Sequence, residues 1–553
     1  MADLKRLFGN SPPAAKLCLV LWAILCFAGC SFPAAPSARD TVSDSTPANA
    51  RVFRMNLGSE PPNLDPPRVT DLTSFNVVQN LMRGLTQFDA RQQVVPAVAE
   101  RWTVSPDGKV YTFYIHPKAR WSDGKPVTAN DFVYAWQRAL DPALGAEYAF
   151  FLHDIVNAKA WNEGKLKDPR QLGIRALNLR TLQVTLNRPV AFFPSLLASP
   201  VALPVRQDVV ARNGAKWTEA GRMVTNGPYR LAEWIHEQRI VLTPDPDWFL
   251  AQPKVARVEM LMVTDANTSV VMYENDELDF IETTTSIPPF EVRRLQHRPD
   301  AHRLAIHRNE YVGFNTRQPP FNQVKVRQAF AHAIDRSLFP TLLQSGQQPL
   351  ASLITPGLVG YNPKRGLMFN PQRAKQLLAE AGYPQGKGFP SVSLSYRTSF
   401  GGRREAEILQ FLWKKHLGVD VNLKNMEWKV LLSQLKQNPP PMYRLGWYVD
   451  YPDADSFMTL FIRDNGNNYT GWHDPRYDRW VRQAAETSDG TTRVRLYDQA
   501  QHLLLERDTA IAPLYVGEKL YLHKPHVCGL VINRLNLMML DALQVGADLC
   551  SKS

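Results

Sequence analysis

The chain predicts a mixed α/β protein built from several lobes. Three observations carry this. Strand-like and helix-like segments alternate along its length without a fixed repeat. Its 553 residues suffice for roughly three domains at about 100–200 residues each. Its 42 prolines against 30 glycines punctuate the chain too often for a coiled coil or a helical solenoid.

The elements follow in order. Gly108 turns the chain into VYTFYI at 110–115, a strand by its β-branched and aromatic content. Residues 129–140 (ANDFVYAWQRAL) place Phe132, Trp136 and Leu140 on one helical face, with Asn130 as the expected N-cap. TLQVTL at 181–186 alternates as a strand. Residues 324–334 and 371–381 read as helices, the second closed by Gly382. A strand at 392–396, a helix at 406–417, a strand at 419–423 after Gly418 and a long amphipathic helix at 492–508 complete the pattern.

Hydrophobic residues make up 44% and charged residues 21%, a globular profile that excludes disorder as the main state. No apolar run reaches the roughly 18–20 residues of a membrane-spanning helix. The net charge of +12 comes from 64 Lys and Arg against 52 Asp and Glu. The basic residues are scattered, so nucleic acid is not an expected partner.

The first thirty residues form an address. Lys5, Arg6 and Lys16 precede an apolar stretch at 17–29 that ends at Ala28-Gly29-Cys30. This is similar to a lipoprotein signal, with Cys30 as the lipidated residue and Phe27 where such signals usually carry Leu. Ordinary cleavage near Ala34 to Ala38 is the alternative. Residues 31–50, rich in Pro, Ala and Ser, read as a flexible tether. Once Cys18 and Cys26 leave with the signal, Cys528 and Cys550 remain as an even pair, which predicts one disulfide in an exported protein. Two free thiols are the alternative.

The common catalytic signatures H-E-x-x-H, G-x-S-x-G, C-x-x-C and G-x-G-x-x-G are all absent from the sequence. GYPQGKG at 382–388 lacks phosphate-loop spacing. Asp450, Asp453 and Asp455 lack the glycine and terminal glutamate of an EF-hand. His473, Asp474 and Asp478 read as an exposed turn. The expectation is a binding protein without cofactor or metal, with an exported peptidase or hydrolase as the rival class.

Several stretches closely resemble the periplasmic oligopeptide-binding proteins of ABC importers, solute-binding family 5. They are WSDGKPVTANDFVYAWQRALDP at 121–142, SEPPNLDP at 59–66, VTNGPYRL at 224–231, AKQLLAEAGY at 374–383, LGVDVNLKNMEWK at 417–429 and RLGWYVDYPDADSF at 444–457. The resemblance implies a bilobal clamp of the periplasmic-binding-protein type (type II) with an extra domain, mixed sheets and hinge strands. It places lobe I at 51–82, 205–307 and 523–553, the extra domain at 83–204 and the opposite lobe at 308–522. It also implies capture of an extended oligopeptide, or another cargo of the family such as a murein peptide, glutathione, a sugar or chelated nickel. Delivery would be to a membrane permease by a monomeric, lipid-anchored protein of the cell envelope. A sensor or chaperone using the same clamp is a further alternative.

Residue roles follow from the same resemblance. Asp450 matches the aspartate that grips the peptide α-amine, a buried ammonium needing a carboxylate partner. Gly446 and Tyr448 would lend backbone groups, Gly446 also allowing close approach of a ligand strand. Leu72 matches a backbone contact on the other lobe, and Tyr148 a tyrosine near the peptide N-terminus, an ordinary half-buried aromatic being its alternative. Trp428 and Trp447 match tryptophans that line side-chain pockets. Arg444 would orient Asp450 or meet a peptide carboxylate, or serve a structural ion pair. The lysine and histidine that hold the peptide C-terminus in well-known members fall near Gln344 and on Gly402. Arg403 is the candidate substitute, or a surface charge at a helix start.

Overall fold

The computed structural model describes residues 51–343, 346–398, 401–463 and 465–550. The signal, the tether, Cys30 and Gln344 lie outside them. No helix among the described residues is long and apolar enough to cross a membrane.

One eleven-stranded mixed sheet organises the molecule. Its order is Val421–Met426, Val392–Arg397, Met442–Tyr448, Ala301–Phe314, Ile511–His523, Phe280–Glu282, Val52–Asn56, Arg257–Leu261, Arg239–Pro244 and Tyr229–Ile235, with Gln348–Pro349 pairing to Ile511–His523. The first three strands belong to one lobe and the last five to the other. Ala301–Phe314 and Ile511–His523, the two longest, join them as the predicted hinge strands. A separate sheet, Ala99–Val104, Val110–Ile115, Thr181–Thr185 and Ile174–Asn178, lies in the expected extra domain. Strand alternation explains it: Tyr111, Phe113 and Ile115 point inward while their neighbours are half-buried.

Burial ties these parts together. One apolar cluster joins Phe53, Met55, Val258 and Met260 to Phe113, Phe132, Trp136 and Leu182, so the four-stranded sheet and its helix share a core with one end of the large sheet. The opposite lobe buries both faces of its strands. Val312, Phe314 and Leu394 pack with Trp413 on one side, while Tyr311, Tyr443 and Leu445 pack with Phe461 and Tyr497 on the other.

The hinge strands are irregular where the lobes meet. Ala305 faces Glu518, but the next pair is Asn309 with Val516, so residues 306–308 bulge opposite Gly517. His307 sits buried in this bulge. Its Nε2 lies 2.7 Å from Gln92 Oε1, and its Nδ1 lies 2.8 Å from Thr355 Oγ1. The amide oxygen of Gln92 only accepts, so Nε2 carries the proton and Nδ1 receives the threonine hydroxyl. Burial, with Arg534 adding to it, lowers the His307 pKa to about 3 and keeps the ring neutral.

Element limits differ from expectation in instructive ways. The helix at Ala129–Leu140 is capped by Thr128, not Asn130. The Asp131 carboxylate accepts from the Thr128 N–H at 2.8 Å in a reciprocal capping box. The helix expected at 406–417 begins at Gly402, and its first turn turns Glu405 inward to an arginine described below. The strand expected at 419–423 is Val421–Met426. The long helix at 492–508 is Gly490–Gln501 followed by one widened π-type turn, His502–Arg507.

Cys528 and Cys550 are joined, with Cα atoms 5.6 Å apart and a sequence separation of 22. Between them, Val527–Cys528 pairs antiparallel with Gln544–Val545. Loop closure of this length restricts the unfolded chain by about 3 kcal/mol. Replacing both cysteines by Ser lowers the denaturation midpoint of the oxidised protein accordingly, and added reductant then causes no further loss. Equal midpoints for the two proteins under oxidising conditions contradict this.

Candidate functional site

The two lobes face each other across a cleft made of three adjoining cavities. The first, of about 390 Å³, is walled by Val69, Leu72, Phe75, Tyr148, Phe151 and Val201 on one side and by Tyr448, Val449 and Asp450 on the other. The second, of about 530 Å³, shares Thr284 and Tyr448 with it and adds Arg308, Glu310, Arg397, Trp428, Arg444 and Gly446. The third, of about 390 Å³, shares Thr283, Glu405 and Glu518 with the second.

Asp450 lies two residues beyond the end of the strand Met442–Tyr448. The loop that holds it is pinned from both sides. The Val449 N–H donates to His307 O at 3.0 Å, and the Asp450 N–H to Ser456 Oγ at 3.0 Å. Tyr451 stacks on Phe192 at 4.8 Å and meets Phe151 edge-on at 5.8 Å, both rings from the extra domain. Arg493 grips Asp453 at 2.6 and 2.8 Å, and Tyr451 Oη donates to Asp455 at 2.8 Å. Asp453 and Asp455 are thus occupied in fixing the loop.

The carboxyl of Asp450 is different. Burial raises its pKa to about 6, against a smaller lowering by the Ser456 hydroxyl. No cation among the described residues forms an ion pair with it. Tyr148, on the short helix Glu147–Leu152, faces the same cavity. Burial, then the charge of Asp450, raises its phenol to about 12. Leu72 opens the helix Leu72–Leu81, capped by Asp71, whose carboxylate accepts from Ser74 N at 2.8 Å. Leu72, Tyr148, Tyr448 and Asp450 therefore meet at one cavity, drawn from three separated stretches of chain.

The strand Met442–Tyr448 presents an open edge to the cleft. Antiparallel pairing with the hinge strand continues from Phe314–Met442 to Arg308–Tyr448. Parallel pairing with Val392–Arg397 stops after Ser395–Tyr443. From Arg444 onward this edge faces no strand among the described residues. Alternation puts Arg444, Gly446 and Tyr448 on the cleft face and Tyr443, Leu445 and Trp447 on the other. Trp447 accordingly packs with the core of its own lobe and lines none of the three cavities, contrary to its expected pocket role. Trp428 does line the middle cavity. It is 38% exposed, with the Arg397 guanidinium over its ring at 5.4 Å. Tyr448 is 47% exposed, and its hydroxyl accepts from Arg308 at 2.9 Å.

Arg444 is the centre of a buried ionic knot. It pairs with Glu310 at 2.9 Å, with Glu405, and donates to Tyr515 Oη at 2.9 Å; Arg308 also pairs with Glu310. Burial opposes the charge of Glu310, but Arg308 and Arg444 outweigh it and hold the carboxyl below its usual value. Of the roles open to it, Arg444 therefore takes the structural ion pair rather than orienting Asp450. Gly446 is also explained differently. A Cβ there would collide with the Glu310 carboxylate, so the missing side chain makes room for the knot. The sequence gives no sign of Glu310, Glu405 or Arg308, since none stands in a motif. Arg403 turns outward, 79% exposed and paired with Glu407 at 2.8 Å, so it lines no part of the cleft; its neighbour Arg404 lines the third cavity.

Comparison with known proteins adds a lineage to this geometry. Residues 93–469 match the model of bacterial extracellular solute-binding proteins, family 5 Middle. The chain is 34% identical over 506 residues to the periplasmic oligopeptide-binding protein OppA of Escherichia coli (strain K12), covering 89% of this chain and 92% of that one. Among solved structures, the unliganded open form of the periplasmic murein tripeptide-binding protein MppA superposes with a TM-score of 0.80 at 29% identity, over 90% of this chain and 98% of that one. Haemophilus influenzae OppA in complex with the peptide RPPGFSPFR gives 0.71 at 29% identity, over 90% and 99%.

Two consequences are measurable. The folded protein binds the Asp450 proton more tightly than the unfolded chain, at about 6 against 3.8. Its stability therefore falls as pH rises between these values, and the charged form carries a penalty of up to about 3 kcal/mol above them. Unliganded Asp450→Asn is expected to be more stable than the parent above pH 6 and equal to it below pH 4, by thermal melts across that range. Arg444→Ala strands the buried Glu405 carboxylate and costs about 3–5 kcal/mol, read as the loss in denaturant midpoint. A loss below 1 kcal/mol contradicts the knot.

Proposed function

The chain belongs to bacterial extracellular solute-binding protein family 5, and on that premise we propose that it captures extended oligopeptides between its lobes and delivers them to an ABC permease. The observation that carries this reading is the half-buried Asp450 carboxyl, which lines the cleft and forms no ion pair among the described residues. An α-ammonium supplies the missing charge. The ligand backbone adds to the open edge from Arg444 to Tyr448, which satisfies its donors and acceptors without reading its sequence. Leu72 and Tyr148 meet the first residue, and Trp428 and Tyr448 line the space for later side chains. The side chains of Trp447, Arg444 and Arg403 have no direct part.

In this reading, 51–82, 205–307 and 523–553 form lobe I, 83–204 the extra domain and 308–522 the opposite lobe. Interactions that a ligand makes with both lobes at once, possible only in the closed form, shift the clamp toward closure. The protein itself performs no chemistry. It works as a monomer in the periplasm, held to a membrane through Cys30. The murein-peptide alternative rests on the likeness to MppA, and such a ligand also offers a free amine.

Calorimetry with a pool of tri- to pentapeptides tests the reading. Free peptides bind the parent protein. N-acetylation or Asp450→Asn each weakens binding at least thirtyfold, as expected when about 2 kcal/mol or more is lost with one partner of a buried charge pair. Equal binding of acetylated and free peptides removes Asp450 from this role. The affinity is greatest between pH 6, where Asp450 becomes charged, and about pH 8, where a peptide amine loses its proton. Below pH 6 it falls by up to about tenfold per pH unit.

A further inference from the structure

The last stretch of the chain folds into a two-stranded ribbon. Val527–Cys528 pairs with Gln544–Val545, and Val531–Ile532 with Met538–Met539. A turn at 533–537 closes its tip. There Asn533 Oδ1 accepts from the N–H groups of Leu535 and Leu537 at 3.0 and 3.1 Å, and Asn536 takes a positive φ of 66°. Leu535, Asn536 and Leu537 line the same cavity as Asp450. The tip is held from two sides. Toward the helix Leu72–Leu81, Met538 O accepts from Gln79 Nε2 at 2.7 Å and from Asn80 Nδ2 at 3.0 Å, and the Leu540 N–H donates to Asn80 Oδ1 at 3.0 Å. Toward the hinge bulge, the buried His307 donates its N–H to Arg534 O at 2.7 Å. The Arg534 guanidinium reaches on to Pro356 O, donating at 2.6 Å. Lys519, from the other hinge strand, donates to Asn536 Oδ1.

We propose that this ribbon is a positioning element for Asp450, and that the Cys528–Cys550 disulfide makes amine capture depend on the redox state of the surroundings. The path between them is short. Arg534 O holds the His307 N–H, His307 O holds the Val449 N–H at 3.0 Å, and Asp450 is the next residue. A buried N–H without an acceptor is costly, so His307 keeps its place only while the tip keeps its own. Arg534 lines none of the three cavities and acts through His307. A two-stranded ribbon is marginal by itself. The disulfide ties its base, at Cys528, to the short helix Ala547–Cys550. Both cysteines are half-buried, within reach of an external dithiol. Reduction passes two electrons and two protons from that dithiol, which becomes a disulfide, to Cys528 and Cys550, which become thiols. The freed base lets the tip open more often, and Asp450 loses its fixed place before the arriving ammonium. This deepens the peptide-binding reading and rests on it.

The test compares the chain from Arg51 to Ser553 oxidised and after dithiothreitol, at a temperature where circular dichroism shows both forms folded. Amide hydrogen exchange reads His307 and Val449 without ligand. Calorimetry reads a free and an N-acetylated tetrapeptide. Reduction speeds exchange at both amides by about tenfold or more. It weakens the free peptide by about fivefold and leaves the acetylated one within about twofold, so the penalty for acetylation shrinks. Cys528→Ser combined with Cys550→Ser behaves as the reduced protein in either condition. Arg534→Ala keeps the disulfide, and so decides the matter even where the double variant does not fold. It shows the same faster exchange and smaller penalty, and Arg534→Lys, which can still donate to Pro356 O, restores most of the penalty. An equal loss for free and acetylated peptides overturns the proposal, since general loosening would then be the cause. Exchange and penalty that both ignore reduction overturn it too and leave the Asp450 reading standing. If no peptide binds the oxidised parent, both readings fall together.

Discussion

Two strands carry the chain between the lobes, and the charges buried around them have to cancel on the spot. Arg308, Glu310, Arg444 and Glu405 do this in the middle of the cleft. Burying an ion without a partner costs several kcal/mol, so the knot fixes its neighbours as firmly as a packed core does. Gly446 is glycine because Glu310 fills the space of its side chain. The helix from Gly402 carries Glu405 in its first turn, where it meets Arg444. Because the knot consumes its own cations and carboxylates, it adds no net charge to the middle of the cleft. The charge of Asp450 is left unbalanced, and there it can serve a ligand.

The loop around Asp450 shows how such a charge is kept in place. A carboxylate held partly out of water would relax toward it if its backbone allowed. Here Asp453 is clamped by Arg493, Tyr451 is wedged between Phe151 and Phe192, and the main chain is tied to His307 and Ser456. The supports come from widely separated stretches of the chain. The unfavourable environment of one side chain is therefore sustained by many favourable contacts among its neighbours.

Much of the fold is legible in the sequence because periodicity is local. The strand at Val110–Ile115 and the helix at Ala129–Leu140 follow directly from their apolar spacing. Asp450, Tyr448, Tyr148 and Leu72 are legible only through resemblance, since three distant stretches build their cavity and no spacing rule connects them. Trp447 goes against its motif, although strand alternation alone separates it from Gly446 and Tyr448. There the period of two is the better guide than similarity. Arg403 and Arg404 differ by one step of helical rotation, about 100°, which no sequence reading resolves without the exact helix start. Glu310 and Glu405 stand in ordinary surroundings, and only the pairing of strands far apart in sequence brings them to Arg444. The N-cap at Thr128 carries a readable signal, a threonine three residues before an acid.

The open edge of Met442–Tyr448 has a cost of its own. A row of unsatisfied backbone groups accepts any extended chain, including one from an unfolded neighbour or a second copy. Proteins usually blunt such edges with prolines, charges or bulges. In this stretch the chain offers Gly446, Trp447 and Tyr448 instead. Its protection is architectural: the facing lobe limits what can reach it. The cleft has to admit a peptide yet exclude a folded surface, which sets an upper limit on how far the clamp can gape before solubility suffers. Crowded, ligand-poor conditions press hardest on that limit. Cargo in the cleft would then act as a chaperone for its own carrier.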